Sequence, residues 1–187
     1  MRRSLLAVLG VVGGAVVSSP GDAQPPRYGA SVGLAMPAGA YDVTRGPGPL
    51  VRGTITWGAP RRHVYLRGEI EGATMLASGQ RAPNGMSSAY GNLHVVSALL
   101  SYIVGGRSER FAPYVYVGAG LQHLRVRRGE NPYGTTVGGR AGVGARGTIR
   151  GKLLHVEIAR HTALTGFATG EDFTLGSYIP VMFGITF

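Results

Sequence analysis

The segment Gly176–Phe187, GSYIPVMFGITF, carries a large apolar residue at every odd position from Ile179 onward: Ile179, Val181, Phe183, Ile185 and Phe187. Period-two alternation marks a strand whose two faces meet different surroundings, because successive side chains leave a strand on opposite sides. The same rhythm runs back through the chain. From Arg27 to Met36 the even positions are Tyr28, Ala30, Val32, Leu34 and Met36. Comparable runs occupy Leu50–Trp57, His63–Leu76, Ala89–Ile103, Ala112–Val126, Thr135–Arg150, Lys152–His161 and about Thr174–Phe187, so eight strands are expected. Their connections alternate in length. PAGAYDVTRGPG, ASGQRAPNGMSS, RRGENPYG and TALTGFATGED are long, whereas GAPRR, GGRSER and RGK are short.

Composition agrees with one domain of strands and turns. The 187 residues include 32 Gly and 11 Pro, with 44% hydrophobic and only 15% charged residues. There is no Cys, which excludes a disulfide framework, thiolate metal sites, a cysteine nucleophile and a lipoprotein anchor. At the N-terminus, Arg2 and Arg3 precede the apolar LLAVLGVVGGAVV, and SSPGDAQ then places Gly21 and Ala23 at the small positions of a cleavage site. Residues 1–23 therefore read as a secretory signal peptide and 24–187 as the mature domain. Losing Arg2, Arg3 and Asp22 changes the formal charge from +10 to +10 − 2 + 1 = +9. Past Gln24 no apolar run is long enough for a transmembrane helix.

Eight strands in up-and-down order favour closure into a barrel, which removes both sheet edges. The side that faces inward is a separate question. One parity carries Val51, Ile55, Trp57, Val117, Val156 and Phe183; the other carries Arg52, Arg67, Glu69, Glu71, Arg140, Arg146 and Glu157. A soluble lipocalin-like barrel holding an apolar ligand would alternate in the same way. Three features favour an ionic interior. Gly118, Gly120, Gly138, Gly142 and Gly144 lie on the polar face, where they would relieve crowding in a narrow lumen. Glu69, Glu71 and Glu157 share that face with the arginines, as charges obliged to pair would do. Trp57, Tyr102, Phe183 and Phe187 gather toward the short-turn side, as in an interfacial aromatic girdle.

Taken together, the signal peptide, the eight alternating strands, the alternating connections and the terminal YIPVMFGITF resemble the small outer-membrane β-barrels of the OmpA and OmpX type. The resemblance spans the mature chain. It implies an all-β, eight-stranded antiparallel up-and-down transmembrane barrel in the outer membrane, with both termini and the three short turns in the periplasm. It also implies that Phe183, Ile185 and Phe187 form a signal read by the outer-membrane assembly machinery, with Phe187 at the periplasmic rim. Members of this family differ widely in function.

Several motifs invite sharper readings. Gly142, Gly144 and Gly147 in GVGARG match a dinucleotide fingerprint in spelling, but the next segment, TIRGKLLHVEI, is a turn between strands instead of the helix that would hold the pyrophosphate. His155, Glu157 and His161 share a strand face, yet the two histidines would stand about 20 Å apart and could not share one ion. No cofactor or metal is expected. Some barrels of this size are lipid-modifying enzymes. With the hairpin centred near Arg107, His123 falls opposite about Gly91, which places it far from Ser97 and Ser101 and argues against catalysis.

Arg125 and Arg160 break the parity rule. They occupy apolar-face positions late on strands that run toward the long loops, where contact with lipopolysaccharide phosphates is expected; the alternative is that these strands project above the membrane. The positive residues form no stripe with stacking aromatics, so no nucleic-acid partner is expected. In Ala89–Ile103 neither parity is cleanly polar, and a bulge that sends Leu93 and Val95 outward first, then Ala98, Leu100 and Tyr102, would reconcile them. The expected protein is a monomer embedded among outer-membrane lipid and lipopolysaccharide. Its lumen is filled by side chains, and its surface loops meet a partner that YDVTRGPG, SGQRAPNGM and TGFATGED do not identify. Eight strands leave no room for a wide pore, while a narrow ion path through the Arg and Glu cluster stays open.

Overall fold

The computed structural model describes residues 25–39, 45–58, 63–77, 91–106, 111–126, 133–167 and 176–187. Residues 1–23, expected to be a signal peptide, and most of the long connections lie outside these residues. Among the described residues nine strands form one antiparallel sheet: β1 Arg27–Gly39, β2 Arg45–Gly46, β3 Gly48–Trp57, β4 Val64–Ala77, β5 Leu93–Gly105, β6 Ala112–Val126, β7 Tyr133–Ile149, β8 Lys152–Phe167 and β9 Gly176–Thr186. β2 is a two-residue ladder against the end of β4. The other eight are the expected strands, each paired with its neighbour in the chain. β9 also pairs with β1 from Gly29↔Thr186 to Gly39↔Gly176, which closes the barrel. β8 continues through Thr162–Phe167, a segment expected to be loop, and the β7–β8 register shifts where Val137 faces Thr165 while Gly138 faces Ala163.

Closure puts the polar parity inside. Val117, Val156 and Phe183 face outward, each more than half exposed, whereas Glu71, Glu157 and His161 are at most 2% exposed. An outer wall of Val, Leu, Ile and Phe has no place in water at this extent; it suits hydrocarbon. Tyr28, Trp57, Tyr102 and Phe187 all point outward near the short-turn end, the level of a membrane interface. Interior glycines make room for aromatics. A Cβ at Gly142 would come within 2.7 Å of the Tyr116 ring, and one at Gly144 within 2.5 Å of Tyr114. Pro180 sits where the β8–β9 pairing lapses between Ile158↔Val181 and His161↔Tyr178, as expected of a residue with no N–H for a ladder.

β5 corrects the expected bulge. Its register with β4 and β6 is unbroken, and Leu93, Val95, Ser97, Leu99, Ser101 and Ile103 all point inward. The reason is that the lumen is layered. Toward the long loops it is lined by an apolar cluster that includes Leu50, Met75, Leu93, Val95 and Leu124. A second cluster, Tyr65, Ile103, Tyr114, Tyr116 and Ala159, lies toward the short turns. Apolar residues on both faces of β5 thus meet apolar surroundings on both sides.

Candidate functional site

Between the two apolar layers lies a compact ionic cluster. Arg52 on β3, Arg67, Glu69 and Glu71 on β4, Arg140 on β7 and Glu157 on β8 all point to the barrel axis, with side chains 6% exposed or less. Arg67 grips Glu157 with both terminal nitrogens, at 2.5 and 3.2 Å. Arg52 reaches Glu69 at 2.5 Å and Glu157 at 2.7 Å. Arg140 reaches Glu69 at 2.8 Å and Glu71 at 3.4 Å. Three guanidiniums and three carboxylates therefore balance within one connected network, which is what allows ions to persist in an interior of low polarity.

Hydroxyl groups complete the coordination of the carboxylates. The Tyr114 hydroxyl donates to Glu157 at 2.5 Å, the Tyr178 hydroxyl donates to Glu71 at 2.8 Å, and Ser101 donates to Glu69. Arg140 donates to the Tyr116 oxygen at 3.1 Å and lies over that ring, 5.0 Å from its centroid, as Arg67 does. These tyrosines and Ser101 escaped the sequence reading of the charge network. Tyr114 and Tyr116 share the parity of the arginines, the one local sign of their role.

Arg146 is the member that the structure does not bring into this cluster. It lies six residues below Arg140 on the same strand, about 20 Å at ~3.3 Å per residue. It donates instead to the Gly106 carbonyl at 3.2 Å and sits 5.2 Å from the Tyr65 ring centroid. The two β8 histidines also part company. His155 meets Ser31 at 2.9 Å, while His161 meets Gln122 at 3.1 Å and stacks on Tyr178 at 4.6 Å. Among the described residues no group of three or more His, Asp or Glu side chains is disposed to hold a metal ion. The GVGARG glycines lie within strand β7, not at a helix start.

The serine and histidine geometry differs from expectation in its register. His123 pairs with Val96, and Ser97 pairs with Gln122, so the hairpin centre lies beyond Arg107 and the offset along the strands vanishes. Direction still separates them. Ser97 is buried in the lumen and His123 is exposed on the outer wall, where it meets Thr135 at 3.1 Å.

Outside the barrel, Arg125 and Arg160 are exposed on the apolar wall. Arg125 is thirteen residues up β6 from Ala112, and Arg160 is eight residues up β8 from Lys152, about 26 Å along the strand at ~3.3 Å per residue. Arg160 also donates to the Ser177 hydroxyl at 3.5 Å. At the opposite end Phe183, Ile185 and Phe187 line the outer side of the last strand, and the Phe187 N–H donates to the Tyr28 carbonyl at 2.8 Å.

A closed eight-stranded barrel with an apolar exterior and an ionic interior has the architecture of the small outer-membrane barrels. Solved structures of that class superpose on this chain. Neisserial surface protein A matches at a TM-score of 0.62 and 15% identity, over 88% of this chain and 97% of its own. A major outer membrane protein from Thermus thermophilus matches at a TM-score of 0.50 and 11% identity, over 88% of this chain and 99% of its own. No protein-family model matches the chain, and no curated protein sequence matches it.

Proposed function

We propose that this chain is an integral outer-membrane barrel whose side-chain-filled lumen holds the wall rigid, and that it acts through its surface loops or through the integrity of the membrane itself. The observation that carries this reading is the sorting of side chains by the closed sheet: a predominantly apolar wall outside, a balanced ionic cluster within. Export by cleavage of residues 1–23, periplasmic short turns and a monomeric state belong to the same reading. It assigns no catalytic role, since Ser97 and His123 face opposite sides of the wall. The test is cell fractionation followed by gel migration with and without boiling. The protein is expected in the outer-membrane fraction, insoluble without detergent, and faster-migrating before heating than after. Recovery from the soluble periplasm would favour an inside-out, ligand-binding barrel instead.

Arg125 and Arg160 are read as contacts to lipopolysaccharide phosphate. Both are exposed on the outer wall, thirteen and eight residues up their strands, and a guanidinium that reaches the headgroups can hold a phosphate through two parallel hydrogen bonds. Replacing both with Gln should weaken association with lipopolysaccharide in co-purification while barrel stability in plain phospholipid stays within about 1 kcal/mol, the cost of a charge near the interface. Unchanged lipopolysaccharide association rejects the contact.

Phe183, Ile185 and Phe187 are read as the assembly signal. Phe187 is 71% exposed, so its side chain adds little to packing. Phe187→Ala should lower the amount of folded barrel in cells several-fold, yet leave refolding of the purified chain into detergent nearly unchanged. Equal losses in both settings would reduce Phe187 to a structural residue.

A further inference from the structure

The charge network accounts for the middle of the lumen but not for its short-turn mouth. There the barrel holds a small cavity of about 30 Å³. Arg27, Arg67 and Arg146 line it, together with the threonines Thr54, Thr56 and Thr186. Tyr65, Tyr114 and His155 complete the polar lining, and of the ten lining residues only Leu153 lacks a side-chain N–H or O–H. Among the described residues no carboxylate lines the cavity. Arg67 and Tyr114 both donate to Glu157, which does not itself line the cavity.

We infer that this cavity is a binding site for a single oxyanion of the phosphate class, either a free anion or the headgroup of an anionic lipid. The chemistry of the lining selects charge and hydrogen-bonding capacity: the guanidiniums repel a cation, and together with the hydroxyls they can donate to an oxyanion. Its size selects a small group, since a water needs ~10–15 Å³ of such space and 30 Å³ holds about two waters or one tetrahedral oxyanion. The floor is rigid, because Arg67 is held bidentately by Glu157 and Tyr114 is anchored to the same carboxylate. The rim is accessible, because Arg27 opens β1 and is exposed. The apolar layer around Met75 and Leu93 separates the cavity from the loop end, so the anion enters and leaves through the short-turn mouth. Binding here does not depend on what the surface loops do.

The test uses the full barrel in nonionic detergent at low ionic strength, titrated calorimetrically with inorganic phosphate and, separately, with a short-chain phosphatidic acid below its micelle concentration. Phosphate should bind at one saturable site and raise the melting temperature in parallel. Arg27→Gln should raise its Kd about tenfold, the loss of one charge-assisted hydrogen bond, whereas Lys152→Gln, an exposed cation at the same mouth that does not line the cavity, should change it less than twofold. Phosphate displacing the phosphatidic acid identifies the oxyanion as the recognised group. Failure of phosphate to bind, equal binding by the Arg27→Gln variant, or lipid binding that phosphate does not displace overturns the assignment. Retained heat-dependent gel migration of both variants establishes that they fold.

Discussion

Glu157→Leu should cost the barrel about 3–5 kcal/mol, because it leaves three buried guanidiniums to share two carboxylates. Glu157 receives both terminal nitrogens of Arg67, one of Arg52 and the Tyr114 hydroxyl. Taking it away converts a cluster of three positive and three negative groups into one with a net charge of +1, walled in by strands on every side. Arg52 and Arg140 cannot reach water from there, since their side chains are fully buried. The double replacement Arg67→Met with Glu157→Leu restores neutrality and fills the space with apolar atoms, so it should lose less than half as much as the single change. Urea midpoints of the folded protein in phospholipid vesicles would measure both. A Glu157→Leu variant within 1 kcal/mol of the parent would mean that the ion cluster does not hold the wall together.

Val117→Arg should be the most damaging change on the outer wall, at about 2–4 kcal/mol in a bilayer. Val117 faces outward with 59% of its surface exposed, and it pairs with Tyr102 on one side and Ala141 on the other. It lies five residues above Ala112, about half of the 9–11 residues a tilted strand needs to cross the hydrocarbon. The same Arg at His123, six residues higher on the same face, should cost about 0–1 kcal/mol because its head reaches the interface. That gradient with depth belongs to a membrane. In a water-soluble barrel Val117 would be an ordinary surface site, and both substitutions would be nearly neutral. Equal, small effects in vesicles would therefore contradict the membrane reading more directly than localisation alone.

Much of this architecture is legible in local sequence because of one physical fact: a strand turned toward two different media must alternate, and β1, β3, β4, β6 and β9 do so almost without exception. The alternation also explains why Arg52, Arg67, Glu69, Glu71, Arg140 and Glu157 can be grouped from their parity alone. Parity says which face a residue occupies and nothing about its height. Arg146 has the right face but the wrong level, so it falls at the mouth and not in the cluster. The hairpin joining β5 and β6 shows a second limit. Its centre depends on how tightly the turn closes, and an error of a few residues there moved His123 from beside Val96 to opposite Gly91.

What the amino-acid sequence determined by itself is the repeating choice of side, strand after strand, since that choice is made by neighbours two residues apart. Only the closed barrel decided which lumen residues share a level, because those neighbours come from strands across the axis. Glu157 on β8 meets Arg67 on β4 there, and Tyr178 on β9 meets Glu71 on β4. Contacts of that kind are set by stagger and closure, which no single strand encodes.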